Sequence, residues 1–488
     1  MTTSPEEKGD SAKGLVGIVA KYSASRFYRQ FWGLLTAFLR PKLLSPADFG
    51  LWNLLRIIPD YVSYGALGLN SAMRLNVPRE RAAGNQEAVT ELEDTAWTGV
   101  LCSNGFFALV LVILGMSGHW GHKVSWGLIA MGFTFILLSV SEYKMNSLKA
   151  HEGFGILTAT NFFHITLNSI LTVVLLLAFG IYGLYIALPT AHLLTIWYMY
   201  RRDGHLPHLR FNFTRFKQMV TFGLPVMALG VIIMLVQTSD RLIIAMMLGN
   251  EELGYYGISN MIMGFLMNVP GAAREVLEPR LMRELEHHGI EKISNSYLFK
   301  PLFQTSYLMP MMVGPVVLCL PVAVSILLPR YTPGVTATQI LSIGGYFFAH
   351  IIVLRGIIAA RNLQLRAFKL VLLGLVWNVV WSMTAIAKGY GIVGVALCSL
   401  SSFLLIYLVL FWLMKRDLNL GQHPLWPAYR WRLCLPFPCM LGLLFALNLW
   451  PNPTGWYGVP VVGIKTALFL AVMFLFRHLI KKPTENKV

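Results

Sequence analysis

Residues 391–414 read GIVGVALCSLSSFLLIYLVLFWLM, a run of apolar and small residues without a charged side chain. A helix that crosses a bilayer needs about 20 mostly apolar residues, so this run is long enough to span a membrane. Gly, Pro or charge clusters divide the chain into fourteen such stretches. The sequence therefore predicts an all-α polytopic membrane protein with about 14 transmembrane helices. The predicted spans are 14–39, 51–72, 97–116, 125–142, 154–179, 182–199, 220–248, 254–273, 302–328, 337–360, 368–388, 391–414, 434–450 and 458–478.

The composition agrees with a membrane protein and excludes several soluble classes. Only 13% of the 488 residues are charged, against roughly 25% in an ordinary soluble protein. The net charge of +17 lies between long apolar runs, whereas a nucleic-acid binder carries its basic stripe on a water-soluble fold, so no nucleic-acid partner is expected. The chain has neither a CxxC pair nor a GxxxxGK[ST] run. We therefore expect no disulfide framework, no metal site, no ATP hydrolysis and no cofactor.

Basic residues are distributed unequally over the predicted loops. The side that carries the N-terminus holds the clusters Arg201 to Lys217 and Arg274 to Lys300, together with the basic tail. Positive residues concentrate on the cytoplasmic side of membrane proteins, which places both termini in the cytoplasm. The opposite side carries Arg40, Lys42, Lys123, Arg330 and Lys388.

Two pairs of segments suggest an internal duplication. LSPADFGLW at Leu44–Trp52 parallels LGNEELGYY at Leu248–Tyr256, with an acidic residue two positions before a glycine in both. GIYG at Gly180–Gly183 parallels GIVG at Gly391–Gly394. The offset is 204 residues for the first pair of segments and 211 for the second. Glycine-rich turns that resemble each other by chance are the alternative. Equal helix counts favour a parallel repeat of two six-helix lobes, as in transporters with two lobes about an axis along the membrane normal.

This repeat divides the chain into three parts. Residues 1–204 form the predicted N-terminal lobe, 205–420 the C-terminal lobe, and 421–488 an extra helix pair with a cytoplasmic tail. If two of the short apolar pieces are re-entrant instead, the number of crossings falls to twelve, and this alternative stays open for the last pair.

A family resemblance covers most of the chain. The run Thr238–Ile244, followed by Leu248–Gly249 and Glu252–Tyr256, closely resembles a signature of polysaccharide flippases. The segments Leu43–Trp52 and Leu328–Tyr331 are also similar to that family. These are the O-antigen and exopolysaccharide translocases of the multidrug/oligosaccharidyl-lipid/polysaccharide exporter superfamily.

The resemblance implies a function in the bacterial inner membrane. Such proteins move undecaprenyl-pyrophosphate-linked oligosaccharides from the inner to the outer leaflet. The implied partners are a lipid-linked oligosaccharide, membrane lipids, H⁺ or Na⁺ as coupling ion, and a polysaccharide polymerase complex. The resemblance also implies a transporter rather than an enzyme.

Charges inside the predicted spans are the candidate site residues. A charged side chain at the bilayer centre costs at least about 2.5 kcal/mol, so it faces a cavity, forms a pair or extends to the interface. Arg26 and Arg29 share one face of the first span, and Arg29 lies about 15 Å from its external end. Arg56 and Asp60 reach a similar depth in the second span. We expect the three arginines to bind the pyrophosphate, because guanidinium groups contact phosphate oxygens in bidentate geometry. A structural Arg56–Asp60 pair is the alternative.

Asp240 and Arg241 are adjacent, so their side chains diverge by about 100° around the helix. Asp240 is either a carboxylate that binds a coupling ion or a structural group that holds its helix to a polar neighbour. Lys21 and Arg355 are further candidates for the cavity lining, although both are near enough to the cytoplasmic side to extend into the interface. Lys465 lies outside the duplicated part, where we expect no substrate contact.

Two other classes of membrane protein compete with this interpretation. A multidrug or organic-cation antiporter of the same superfamily would have the same two-lobed bundle, but the excess of intramembrane bases over the acids Asp60 and Asp240 disfavours cationic substrates. A glycosyltransferase or ligase needs carboxylates or an activated base in a sizeable loop or groove. The predicted external loops are too short to supply one.

Overall fold

The structure is a computed structural model that describes residues 28, 32–33, 35–151, 153–204, 207–288, 300–361, 363–417, 431–451 and 455–481. All regular secondary structure in this part of the chain is helical. The α-helices are α1 (Pro46–Leu55), α2 (Ile57–Asp60), α3 (Val62–Gly65), α4 (Leu69–Ala82), α5 (Gln86–Met116), α6 (His122–Ala150), α7 (Phe154–Phe179), α8 (Ile181–Arg202), α9 (Phe213–Met247), α10 (Asn250–His288), α11 (Lys300–Leu327), α12 (Val335–Ala360), α13 (Gln364–Ala387), α14 (Gly391–Asp417), α15 (Pro436–Asn448) and α16 (Gly458–Lys481). Short 3₁₀ turns at Pro329–Gly334 and Gly455–Tyr457 precede α12 and α16.

Ten of the described helical segments are long and apolar enough to cross a membrane. Many of their large apolar side chains are exposed, as expected for surfaces that face lipid rather than water. The prediction of an all-α, multi-pass membrane protein is confirmed. The number of fourteen crossings and the internal repeat remain predictions.

Contacts divide the chain into two compact units. The first unit comprises Met1–Ser45 and Leu55–Met227, and the second comprises Pro46–Leu54 and Ala228–Val488. In the first unit, α5 packs along α6, and α7 packs along α8. In the second unit, α12 packs against α10, α11 and α14 around a large apolar core.

The second predicted span, 51–72, is longer and more broken than expected. Helical structure runs from Pro46 to Ala82 but is divided into the four pieces α1 to α4. Pro59 lacks an N–H donor and so weakens the helix locally. Leu67 and Gly68 then have φ of 50° and 78°, which interrupts the helix before α4.

Several helices also continue beyond the apolar stretches that predicted them. α5 begins at Gln86, where the Asn85 side chain accepts a hydrogen bond from the Ala88 N–H at 3.2 Å and caps the helix. α10 continues to His288. The predicted loops are shorter as a result, because hydropathy detects the part of a helix inside the bilayer and not its polar extension.

The two segments of the first sequence parallel lie against each other within the second unit. A Cβ atom added at Gly50 would come within 1.8 Å of the Asn250 carbonyl oxygen. One added at Gly254 would come within 1.9 Å of the Pro46 carbonyl oxygen. Glycine is therefore required at both positions, because α1 and α10 meet backbone to backbone here.

Candidate functional site

A polar stripe follows one face of the broken helix in the first unit. Arg56, Asp60, Ser63 and Arg74 are exposed, and Ser71 is half-buried. The spacing of four and three residues keeps Arg56, Asp60 and Ser63 on one side of the chain before the break, and Ser71 and Arg74, three residues apart, share one side of α4 after it. Charged groups in the interior of a membrane protein do not face lipid. We therefore interpret this polar stripe as the wall of a water-filled cavity.

α6 adds charged side chains beside the polar stripe. Ser63 Oγ donates hydrogen bonds to the two carboxylate oxygens of Glu142, at 2.8 and 2.9 Å. Lys149, two turns further along α6, lies close enough to Glu142 and Arg74 to interact with both electrostatically. The stripe thus carries both signs of charge, with basic side chains at its two ends.

Arg56 was predicted to contact an anion, and it lies exposed in this stripe. Arg40, assigned from sequence to an external loop, is close enough to Arg56 for the two positive charges to interact. Asp60 is exposed one turn further along. The remaining predicted arginines, Arg26 and Arg29, and Lys21 lie outside the described residues.

Asp240 occupies the core of the second unit. Only 3% of its surface is exposed, and Tyr256 of α10 donates a hydrogen bond to Asp240 Oδ2 at 2.7 Å. Arg241 is half-buried, and its Nη2 donates to the Gln237 carbonyl oxygen at 3.4 Å. The two adjacent side chains therefore have different surroundings.

A chain of hydrogen bonds extends from Asp240 to α13 and α14. Tyr256 also lies close enough to Ser399 to interact with it, and Ser399 Oγ accepts a hydrogen bond from Asn378 Nδ2 at 3.2 Å. Asn378 Oδ1 in turn accepts from the hydroxyls of Ser239 and Ser382, each at 3.4 Å. These side chains are all buried. A buried carboxylate with a hydroxyl contact and a polar network nearby can hold a proton or a small hard cation.

The other predicted groups lie elsewhere in the second unit. Arg355 is half-buried on α12 and already has interaction partners. Lys465 is fully buried on α16, where its Nζ donates to the Trp450 carbonyl oxygen. This contact connects α16 to the end of α15 and gives Lys465 a structural role.

A polar cavity of about 430 Å³ lies in the first unit beside the start of α5. Glu91 accepts hydrogen bonds from Arg215 Nε at 2.8 Å and from Asn212 Nδ2 at 2.5 Å. Asp94 accepts from the His208 backbone N–H at 2.7 Å. These contacts satisfy the two carboxylates and attach the segment around the start of α9 to α5. The cavity is therefore a weaker candidate for a substrate site than the polar stripe.

Sequence reasoning missed a buried ion pair in the first unit. Lys144 lies beyond the end of the predicted span 125–142, but it is fully buried on α6, and its Nζ lies 2.5 Å from Asp203 Oδ2. Its ammonium group also lies 4.8 Å from the centre of the Tyr200 ring. No sequence pattern signals this pair, because the two residues are 59 positions apart. The first part of the polar stripe, by contrast, could have been found from the helical spacing of Arg56, Asp60 and Ser63.

Comparison with solved structures shows the fold to be that of transporters in the superfamily that contains multidrug exporters. The chain is similar to an inward-facing multidrug resistance MATE family transporter of the MOP superfamily, with a TM-score of 0.67, 12% identity, and coverage of 82% of this chain and 98% of that one. It is also similar to the lipid II flippase MurJ in an inward closed conformation, with a TM-score of 0.67, 15% identity, and coverage of 94% and 99%. A third similar structure is a MOP superfamily transporter from Pyrococcus furiosus, with a TM-score of 0.57, 13% identity, and coverage of 82% and 95%.

The multi-pass bundle thus has the same fold as these MOP superfamily transporters. More narrowly, the family of polysaccharide biosynthesis proteins matches residues 41–335, which is more than half of the chain. The chain belongs to that family, and the resemblance found in the sequence is confirmed. A search of the curated proteins found no significant match.

Proposed function

We propose that this protein flips an undecaprenyl-pyrophosphate-linked oligosaccharide from the cytoplasmic to the outer leaflet of the bacterial inner membrane, for O-antigen or exopolysaccharide biosynthesis. The substrate is translocated by alternating access and released on the periplasmic side. The protein is a transporter and makes or breaks no covalent bond in the substrate.

The polar stripe from Arg56 to Arg74 is the observation that carries this proposal. A lipid with a diphosphate head group needs a hydrated, positively charged path across the hydrocarbon layer. Arg56 and Arg74 are exposed along such a path, and guanidinium groups bind phosphate oxygens through two parallel hydrogen bonds. Membership of the polysaccharide biosynthesis family and similarity to a lipid II flippase support the same substrate class.

Deletion of the gene tests this function directly. We expect lipid-linked oligosaccharide to accumulate in the cytoplasmic leaflet and surface glycan to disappear, with recovery when the gene is restored. Intact surface glycan accompanied by sensitivity to cationic drugs would support a multidrug antiporter instead. That rival is retained because a MATE transporter is among the similar structures.

Topology gives a second prediction. Single cysteines in a cysteine-free background should react with a membrane-impermeant reagent only from the cytoplasm when placed near Gly84 or Gly421. Cysteines near His119 or Asn250 should react from outside, because the basic clusters lie on the side of the N-terminus. The reverse labelling at any two of these positions would overturn the proposed orientation.

We further propose that the Asp240 cluster is the coupling site for H⁺ or Na⁺. The carboxylate is buried at the start of a hydrogen-bonded chain that joins α9, α10, α13 and α14. Burial disfavours the charge of a carboxylate, so binding of a cation is expected to change the stability of this packing. A polysaccharide polymerase complex would then receive the translocated substrate.

The coupling proposal predicts that Asp240→Asn lowers export by at least about tenfold and makes the residual export independent of the ion gradient. Flipping would be measured in sealed vesicles with an imposed Na⁺ or pH gradient. Asp417→Asn is the matched control, because this variant loses an ion pair with Arg361 where α12 and α14 end. It should keep its dependence on the gradient. A gradient dependence in Asp240→Asn equal to that of the unmodified protein would refute coupling at this carboxylate.

A further inference from the structure

The helix α10 presents an uncharged polar line on the second unit. Asn260 and Gly271 are half-buried, and Gly264 and Asn268 are exposed. Their spacing of four, four and three residues places them along one side of the helix. Phe265, with 36% of its surface exposed, lies beside this amide line.

Several features distinguish the amide line from a surface that faces lipid. α10 contains the predicted span 254–273. By helical rise, Asn260 lies about 15 Å and Asn268 about 27 Å from the start of α10, within the thickness of a bilayer. Amide side chains at such depths face protein or water, because lipid offers no hydrogen-bond partner.

One amide of this line, that of Asn260, has unused binding capacity. Asn260 Nδ2 is buried and has no hydrogen-bond partner among the described residues. Cβ atoms added at Gly264 and Gly271 would meet no heavy atom within 4 Å, so space is open in front of both glycines. A buried amide donor without a partner calls for an acceptor that the described residues do not supply, such as a bound polar ligand.

The charge of α10 indicates what that ligand is. No charged residue lies between Glu252 and Arg274. The predicted repeat, with its offset of 204 residues, pairs Arg56 with Asn260 and Asp60 with Gly264. Where the polar stripe has charged groups, the amide line therefore has an amide and a glycine, which suit a neutral ligand.

We propose that the amide line binds neutral sugar residues of the glycan, while the diphosphate is bound elsewhere. This proposal rests on the proposed flippase function and names which residues recognise the carbohydrate. Asparagine offers two donors and one acceptor to sugar hydroxyls. The ring of Phe265 offers an apolar surface to the C–H face of a sugar, a combination typical of ligand sites.

The test compares two lipids that differ only in the glycan. Purified full-length protein in lipid nanodiscs is titrated with undecaprenyl diphosphate and with lipid-linked oligosaccharide extracted from cells that lack the gene. The variant Asn260→Ala/Asn268→Ala should bind the glycosylated lipid about tenfold more weakly, as expected for the loss of one or two hydrogen bonds. Its affinity for the bare diphosphate should stay within about twofold.

Gly264→Leu provides an independent variant, since it fills the open space without removing a hydrogen bond and should also weaken binding of the glycosylated lipid alone. Asn448→Ala and Gly442→Leu are matched controls, because Asn448 is exposed and a Cβ at Gly442 meets nothing within 4 Å. Unchanged affinity for the glycosylated lipid in the double variant and in Gly264→Leu would overturn the assignment, as would an equal loss for both lipids. Failure of the unmodified protein to bind either lipid would refute the proposed function itself.

Discussion

Replacing Arg56 with Gln is expected to lower surface glycan about 10- to 100-fold at normal protein levels, as for the loss of hydrogen bonds to a charged ligand. Arg56 is exposed in the polar stripe, so its guanidinium group can be reached by an anion. Arg40 is close enough to add a second positive charge to the same region. Arg56→Lys should restore export only partly, because lysine keeps the charge but loses the bidentate contact. Export would be measured as surface glycan, with protein quantified in the same membranes.

The matched control for Arg56 is Arg366→Gln, a change to an exposed arginine near the start of α13. We expect it to leave export unchanged. The same losses are predicted for Arg26→Gln and Arg29→Gln on the basis of the sequence. If Arg56→Gln exports normally, or if Arg366→Gln is equally damaging, the polar stripe is not the path of the anion.

Much of the fold could be predicted from sequence because the bilayer constrains it strongly. Long runs such as residues 391–414 leave a helix as the main option, since backbone groups in lipid must bond within their own segment. The ends of the helices were less predictable, because polar residues extend α5 and α10 beyond the apolar stretches. The break at Leu67 and Gly68 depends on local backbone conformation that hydropathy does not report.

The candidate site was predictable only in part. Arg56, Asp60 and Asp240 stand out as charges within apolar spans, and their local positions follow from helical spacing. The partners of Asp240 could not be predicted from helical spacing, because Tyr256 and the Asn378–Ser399 pair are brought together by packing of four helices. Lys144 was missed for the same reason, since burial next to Asp203 depends on tertiary contacts.

The contact of Gly50 with α10 leads to the second large prediction. Gly50→Ala should reduce export to background, because the new Cβ would lie 1.8 Å from a backbone oxygen that cannot move aside without displacing the helix. Gly254→Ala should act in the same way through the Pro46 carbonyl oxygen. Gly121→Ala is the control, since its Cβ meets nothing within 4 Å and its φ is −60°. Export and protein level would be compared for all three variants.

The reason to expect a transport defect rather than a purely local one is the division of the chain. Pro46–Leu54 belongs to the second unit, whereas the residues before and after it belong to the first. Because Gly50 and Gly254 both belong to the second unit, their contact should stay closed while the two units move by alternating access. A disulfide between Asp48→Cys and Glu252→Cys, each two residues before one of these glycines, should therefore form without stopping export. Loss of export on cross-linking, restored by reduction, would show instead that this contact opens during the transport cycle.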